Sequence, residues 1–140
     1  MNSQKKTIVL VGGCFDVLHP GHVIFLEEAK KMGDKLIVLL ESDEKIKKIK
    51  GVNRPVHKQK MRALVLKALK SVDQVVLLPF IEAEDKYDAI VKKIKPDVIA
   101  TTQGDPDSHH KERAAKLVGA KLKYVTKLAG NYSTSKMLKI

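Results

Sequence analysis

Five short apolar runs, each followed by a segment of helical character, constrain the fold of this 140-residue chain more than any other feature. The runs are rich in Val, Ile and Leu, as expected for strands that are buried on both faces. They lie at residues 7–11, 35–40, 74–78, 97–101 and 122–125. Strands that alternate with helices form a parallel sheet covered on both faces. We therefore predict an α/β, Rossmann-like three-layer sandwich with a five-stranded parallel sheet, and a single domain over residues 1–140.

The segments between the strands predict helices and one long loop. Helices are expected over residues 21–32, 57–70, 85–95 and 108–118, and a short one from Ser133. The apolar residues of the second helix recur on one face at helical spacing. They are Met61, Leu64, Val65, Ala68 and Leu69. Residues 41–51 are highly charged and are expected to form a basic loop.

The charge of the chain points to anionic partners. It carries 27 basic and 16 acidic residues, a formal net charge of +11. A field of this sign attracts phosphates, nucleotides or nucleic acid. Aromatic residues make up only 4% of the chain and Trp is absent, which speaks against a surface that stacks several bases. We expect nucleotides rather than nucleic acid, and a nucleic-acid-binding module is the alternative from another class.

Two further features bear on location. The chain has no apolar run of the roughly 18–20 residues that cross a bilayer, and residues 1–6 lack the apolar stretch of a signal peptide. Cys14 is the only cysteine, so no internal disulfide can form, which fits a reducing compartment. We expect no membrane association and a cytoplasmic location.

The loop after the first strand carries the strongest chemical signal. Residues 12–22 read Gly-Gly-Cys-Phe-Asp-Val-Leu-His-Pro-Gly-His. The glycines let the backbone approach a ligand, and the helix that follows points free N–H groups and its positive dipole end at the loop. With His19 and His22 as added donors, the loop is suited to a phosphate chain. A metal site on Asp16, His19 and His22 is the alternative, but no other cluster supplies a clear fourth ligand, so we predict no metal ligands.

This string resembles the signature of the cytidylyltransferase-like nucleotidyltransferases, whose core is His-x-Gly-His. Residues 132–136, Tyr-Ser-Thr-Ser-Lys, are similar to the C-terminal Ile-Ser-Thr-Thr/Ser-Lys element of that family. Two motifs at the right separation are more specific than either alone. The chain is most similar to the adenylyltransferase domain of bacterial ADP-heptose synthesis and to glycerol-3-phosphate cytidylyltransferase. The archaeal FAD synthetases are a third related branch.

The resemblance implies an enzyme that moves AMP, or CMP, from a nucleoside triphosphate to the phosphate of a small sugar or polyol phosphate and releases pyrophosphate. Such a displacement needs positioning and charge stabilisation rather than a protein nucleophile. We expect ATP, with CTP as the alternative, and Mg²⁺ as the accompanying ion. A homodimer is kept open, and a nucleotide-binding relative without catalysis is a further alternative.

The resemblance also implies roles for individual residues. The residues expected to be catalytic are His19, His22, Lys48 and Lys50. The residues expected to bind the nucleotide are Gly12, Gly13, Cys14, Phe15, Asp16, Gly21, Arg62, Gly104, Asp105, Lys127, Tyr132, Ser133, Thr134 and Ser135. Asp16 is expected to orient a loop donor or to reach Mg²⁺ through water. The register of the lysines on the phosphates stays open, because Lys45 and Lys47 share their segment.

The chain departs from its relatives after the fourth strand. Residues 101–111 lack the Lys and Tyr of the heptose branch and the Trp of the cytidylyl branch, although Gly104-Asp105 remains. This departure leaves the acceptor substrate open. Four nearby residues either recognise a different phosphate or sugar or simply begin a polar helix. They are His109, His110, Lys111 and Arg113.

Overall fold

The computed structural model describes residues 5–127. Its strands are β1 Ile8–Gly13, β2 Lys35–Leu40, β3 Gln74–Leu77, β4 Val98–Gln103 and β5 Lys121–Lys127. Its helices are α1 Pro20–Lys30, α2 Asp43–Lys50, α3 Gln59–Lys67, α4 Glu84–Ile94 and α5 Ser108–Val118. The helix predicted from Ser133 lies outside the described residues, and a single domain over residues 1–140 stays a prediction. None of the described helices is long and apolar enough to cross a membrane.

The five strands form one parallel sheet in the order β3-β2-β1-β4-β5, which confirms the predicted fold class. The chain winds outward from β1 to β3 and then returns to β4 on the other side of β1, so the strand order reverses between β1 and β4. These two strands pair only at Val9–Val98 and Leu10–Ile99. Beyond that point they separate toward their carboxyl ends. The crevice at such a reversal is where this class of fold binds ligands.

Helices cover both faces of the sheet, because successive side chains of a strand point to opposite faces. Val9 and Val11 of β1 pack in one buried cluster with residues of α1 and α3. Leu10, between them, packs in a second cluster with Val91 of α4 and Ala115 of α5. The crevice between β1 and β4 therefore opens between two helical layers.

Residues 43–50 form helix α2, so the prediction of a basic loop at this place is wrong. The hydroxyl oxygen of Ser42 accepts a hydrogen bond from the N–H of Lys45 at 3.1 Å and caps the helix. Asp43 and Glu44 lie in the first turn and lysines lie in the last, which suits the helix dipole at both ends. Ile46 anchors the helix in the interior. The high charge of this segment suggested a loop, but its capping residues stabilise a helix.

Most of the apolar face predicted for the second helix is not buried, although Leu69, just after α3, packs against the core. Met61, Leu64 and Val65 are 52%, 64% and 47% exposed. The buried side of the helix is formed instead by Arg62, Ala63 and Leu66. An arginine can face inward here because internal hydrogen bonds satisfy its guanidinium, as described below.

Candidate active site

The two signature histidines cap the first helix. His19 is the N-cap residue of α1, and its Nδ1 accepts a hydrogen bond from the N–H of Gly21 at 3.1 Å. Nδ1 of His22 accepts one from the N–H of His19 at 3.3 Å. Pro20, the first helical residue, has no N–H that needs a partner. The two imidazoles thus form a reciprocal capping box, a task usually performed by Ser or Thr with Glu or Gln.

The capping bonds determine the tautomer of both rings. An Nδ1 atom that accepts a hydrogen bond carries no proton, so the proton of each neutral ring is assigned to Nε2 from the bonding pattern. The two rings stack with their centroids 3.8 Å apart and their planes at 24°. The ring of Phe15 meets His22 edge-on, with the centroids 5.3 Å apart. Packing and capping together hold two Nε2–H donors side by side.

Both histidines are held in their neutral form. Burial lowers the pKa of His22 to about 4, and electrostatic repulsion from the neighbouring His19 and from Lys50 contributes to the shift. Burial and the charge of Lys50 also lower the pKa of His19. At neutral pH the rings are therefore donors through N–H without carrying a positive charge, and positive charge at the cavity comes from lysines, among them Lys50.

The histidines open onto a cavity of about 410 Å³ at the carboxyl ends of β1 and β4. The structure brings most of the sequence-predicted residues together around it. Those that line it are His19, His22, Lys50, Gly12, Gly13, Cys14, Phe15, Asp16, Gly21, Asp105 and Lys127. Sequence reasoning missed three threonines that line the same cavity, Thr101, Thr102 and Thr126. The position of Thr101 and Thr102 at the end of β4, where the strand order reverses, was a usable signal.

Helix α2 separates the lysines of the basic segment. Lys50, at the end of the helix, lines the cavity with the histidines. Lys48 instead forms an ion pair with Glu82 at 2.9 Å, and its ammonium lies 5.8 Å from the centroid of the Phe80 ring. The ammonium of Lys45 donates to the carbonyl oxygen of Ile81 at 3.0 Å. The structure therefore places Lys50, and not Lys48, beside His19 and His22.

Asp16 connects the loop after β1 to the segment that precedes α3. Its buried carboxylate accepts hydrogen bonds from Arg54 Nε at 2.7 Å, from the N–H of Val56 at 2.7 Å and from the N–H of His57 at 3.0 Å. Burial would raise the pKa of Asp16, but the bonds from His57, Arg54 and Val56 outweigh it and lower the pKa. These partners leave Asp16 to orient the segment that precedes α3.

Arg62 does not line the cavity but donates hydrogen bonds to the segments around it. Its side chain is fully buried, and Nη1 donates to the carbonyl oxygens of Cys14 at 2.8 Å and Glu41 at 2.9 Å. Nε donates to the carbonyl of His57 at 2.9 Å, and Nη2 to Asp43 at 2.7 Å. The geometry makes Arg62 a positioning residue for the ends of β1 and β2.

Two glycines of the site have structural tasks. A Cβ atom on Gly13 would lie 2.9 Å from the ring of Phe15, so a larger residue would displace the ring that packs on His22. Gly104 has a φ of 83°, a left-handed conformation that favours glycine, in the turn after β4. It does not line the cavity, whereas the neighbouring Asp105 does, with its carboxylate bound to Thr101 and Lys111.

The carboxyl-terminal motif cannot be placed in the site. Tyr132, Ser133, Thr134 and Ser135 lie outside the described residues, so their predicted roles stay predictions. Among residues 5–127, no group of three or more His, Cys, Asp or Glu side chains is arranged to hold a metal ion.

Comparison with known families decides which family the chain belongs to. The family model for cytidylyltransferase-like proteins matches residues 10–137. The chain belongs to the cytidylyltransferase-like family. This confirms the family predicted from the two motifs and, with it, the predicted enzyme class, a nucleotidyltransferase.

Relatives of this cytidylyltransferase-like chain include longer proteins. The bifunctional protein HldE of Aliarcobacter butzleri is 40% identical over 140 residues, which are 100% of this chain and 28% of that protein. The HldE protein of Campylobacter fetus is 48% identical over 99 residues, 71% of this chain and 21% of that protein. The chain therefore spans less than a third of either relative.

Solved structures show the same fold. A lipopolysaccharide core biosynthesis protein from Thermoplasma volcanium superposes with a TM-score of 0.72 at 27% identity, over 89% of this chain and 100% of that one. A pantoate-beta-alanine ligase from Francisella tularensis superposes with a TM-score of 0.59 over 94% of this chain and 67% of that one. At 15% identity, this second likeness concerns the fold alone.

Proposed function

We propose that this protein transfers AMP from ATP to the phosphate of a small phosphorylated sugar or polyol and releases pyrophosphate, with CMP from CTP as the alternative. The observation that carries the proposal is the pair of neutral Nε2–H donors beside Lys50 at the N-terminus of α1. The similarity to the adenylyltransferase domain of ADP-heptose synthesis favours ATP. A cytoplasmic location and a homodimer stay predictions.

The residues around the cavity suit an in-line displacement at phosphorus. The triphosphate would lie across the N-terminus of α1, where free N–H groups and the dipole favour an anion. The imidazole donors and the Lys50 ammonium would stabilise the charge that spreads over the transferred phosphate and the leaving pyrophosphate. An oxygen of the acceptor phosphate forms the new bond to the α-phosphorus while the bond to pyrophosphate breaks. No covalent enzyme intermediate is needed.

Mg²⁺ enters this reaction as part of the nucleotide substrate. The carboxylates that line the cavity are both engaged, Asp16 with backbone N–H groups and Arg54, and Asp105 with Lys111 and Thr101. Magnesium beside nucleotides keeps several waters and few protein ligands. The phosphates and water are therefore its main ligands in this proposal, and the ion would neutralise part of the triphosphate charge.

The test is a screen for pyrophosphate release. The protein is mixed with Mg²⁺, one of ATP, CTP, GTP or UTP, and one of several sugar or polyol phosphates, and pyrophosphate is followed through a coupled phosphatase. We expect release with ATP, or with CTP, that requires the acceptor and is lost in His22→Asn. The exposed variant Lys31→Ala, on the far end of α1, is the matched control. If no pairing releases pyrophosphate and calorimetry detects no triphosphate binding, the proposal is wrong.

A further inference from the structure

A second cavity, of about 460 Å³, lies on the side of α4 and α5 and adjoins the cavity onto which His19 and His22 open. The two cavities share the lining residues Gly12, Gly13, Cys14 and Lys111. In the proposed reaction the acceptor phosphate must approach the α-phosphorus from the side opposite to the leaving pyrophosphate. A compound held in the second cavity with its phosphate at the shared loop meets this requirement.

A carboxylate and a tyrosine form the polar centre of the second cavity. The Oη atom of Tyr87 lies 3.0 Å from both carboxylate oxygens of Glu41 and donates its hydrogen to them. The backbone N–H of Glu41 donates to the carbonyl of Gly13 at 3.1 Å, which holds this centre against the shared loop. Apolar side chains, among them Leu10, Leu39 and Ile99, line the same cavity.

The Glu41–Tyr87 pair can accept further hydrogen bonds. A carboxylate has about four lone-pair sites, and one tyrosine hydrogen occupies only part of that capacity. The tyrosine oxygen can accept a hydrogen while it donates its own. Burial raises the pKa of Glu41, against the opposing effects of Tyr87 and Lys45, so the carboxylate is poorly hydrated in this structure. A ligand that donates hydrogens to it would replace solvation that the fold has removed.

The charges of the cavity exclude two classes of ligand. Five carboxylates and three lysine or arginine side chains line it, in a protein whose net charge is +11. Arg113 is already paired with Asp88 at 2.6 and 2.8 Å, so a second anionic group on the ligand would meet more carboxylates than cations in this cavity. The ammonium of Lys45 lies 5.5 Å from the centroid of the Tyr87 ring, which blocks that ring for a cationic ligand. Neutral hydroxyl groups satisfy the pair best.

We propose that Glu41 and Tyr87 determine acceptor specificity by accepting hydrogen bonds from neighbouring hydroxyl groups of a neutral, polyhydroxylated molecule. Its single phosphate lies at Lys111 and the glycine loop that both cavities share. This inference rests on the proposed nucleotidyl transfer and narrows its acceptor. Compounds with a second anionic group, or with a quaternary ammonium group, are poor acceptors.

The test compares acceptors and variants in the pyrophosphate assay. Glucose 1-phosphate, ribose 5-phosphate and glycerol 3-phosphate are the neutral polyhydroxylated acceptors, and 3-phosphoglycerate and phosphocholine are the charged ones. We expect turnover with at least one of the first three. Glu41→Gln raises the KM of that acceptor by about tenfold or more, the range for a lost hydrogen bond to a charged group. The kcat and the KM of the triphosphate stay within about twofold, since neither depends on this contact.

Two further variants complete the series. Tyr87→Phe keeps the ring and removes only the hydroxyl, and should raise the acceptor KM by about threefold to tenfold. If Glu41→Gln fails to fold, the acceptor KM of Tyr87→Phe decides the test. Glu28→Gln is the matched control: this carboxylate on α1 is half-buried, is paired with Lys31 and lines neither cavity, so the variant should change nothing.

Direct binding separates this inference from the proposed function. Saturation-transfer NMR measures the binding of the same five compounds to the protein without nucleotide. If no pairing releases pyrophosphate, but a hydroxylated compound binds and Glu41→Gln abolishes its binding, the proposed function fails, and only the assignment of Glu41 as a binding residue for hydroxyl groups stands. If pyrophosphate is released but Glu41→Gln leaves the acceptor KM unchanged, or a charged acceptor is preferred, the inference is overturned. It is also overturned if no hydroxylated compound binds or reacts with the unmodified protein.

Discussion

Replacing His22 by Asn or by Gln separates the two tasks that its ring performs. Nδ1 of the ring accepts the hydrogen bond from the N–H of His19 at 3.3 Å, and Nε2–H is the donor available to a nucleotide. The Oδ1 atom of Asn lies close to the place of Nδ1, so His22→Asn keeps the helix cap and loses the donor. The longer His22→Gln places an amide N–H near the position of Nε2 and gives up the capping acceptor.

The expected magnitudes follow from these two bonds. Loss of a preorganised donor to a developing oxyanion costs about 2.7–4 kcal/mol, which lowers kcat by about 100-fold to 1,000-fold. Loss of a helix cap costs about 0.5–2 kcal/mol of stability, and the long 3.3 Å bond places His22 at the lower end. We therefore expect His22→Asn to lose activity and retain its free energy of unfolding. His22→Gln should lose about 1 kcal/mol of stability and retain more of kcat.

Two measurements on the same preparations decide the outcome. Steady-state pyrophosphate release at saturating substrates reports kcat, and urea unfolding followed by circular dichroism reports stability. His109→Asn, at an exposed position on α5 that lines neither cavity, should leave both unchanged. If His22→Asn keeps kcat within about threefold, His22 is a helix cap and not a transition-state donor.

Further outcomes follow from the placement of the lysines, of Asp16 and of the histidine proton. Lys50→Ala should lower kcat/KM by about 10-fold to 100-fold without changing the urea midpoint. The side chain of Lys48 is 61% exposed and paired with Glu82, so Lys48→Ala should leave the kinetics within about twofold. Equal losses in the two variants would contradict the assignment of Lys50, rather than Lys48, to the site. Asp16→Asn should lower the free energy of unfolding by about 3 kcal/mol or more, because it leaves Arg54 buried without its carboxylate. A loss below about 1 kcal/mol in urea unfolding would show that the ion pair of Asp16 and Arg54 does not stabilise the fold. The folded-state pKa of about 4 for His22 lies below its ordinary value of 6.5, so the unfolded chain takes up this proton first. The stability contributed by the neutral His22 ring is therefore complete above about pH 6.5 and falls by roughly 2 kcal/mol as the pH drops toward 4, once solvent screening is allowed for. Urea unfolding at several pH values should show a smaller loss of stability over this range in His22→Asn. An equal loss in the two proteins would refute the neutral state assigned to His22.

Much of the architecture was accessible from local patterns. The prediction for residues 35–40 coincides with β2 Lys35–Leu40, and that for residues 108–118 coincides with α5 Ser108–Val118. Continuous Val, Ile and Leu runs identify buried parallel strands, since both faces of such a strand need apolar side chains. The signature histidines could likewise be assigned to the start of a helix after β1, because a Pro-Gly step follows His19 directly in the chain.

The misplaced elements show where local patterns failed. The apolar spacing of α3 predicted its buried face, yet Met61 and Leu64 are exposed while Arg62 faces inward. The four hydrogen bonds that make a buried arginine tolerable come from residues 14, 41, 43 and 57, which only the folded chain brings together. Helix α2 was hidden for a different reason, since its charge suggested a loop while its caps favoured a helix.

The features of the candidate site also fall into those that local sequence predicts and those that depend on the folded chain. Residue types and their order in the signature were enough to identify the family and to predict a phosphate-binding helix start, because the capping interactions there are made within a few residues of one another. Which lysine reaches the histidines depended on the direction in which α2 leaves β2, and the pairing of Glu41 with Tyr87 joins positions 46 residues apart. Contacts between distant segments arise from packing, and no spacing along the chain encodes them.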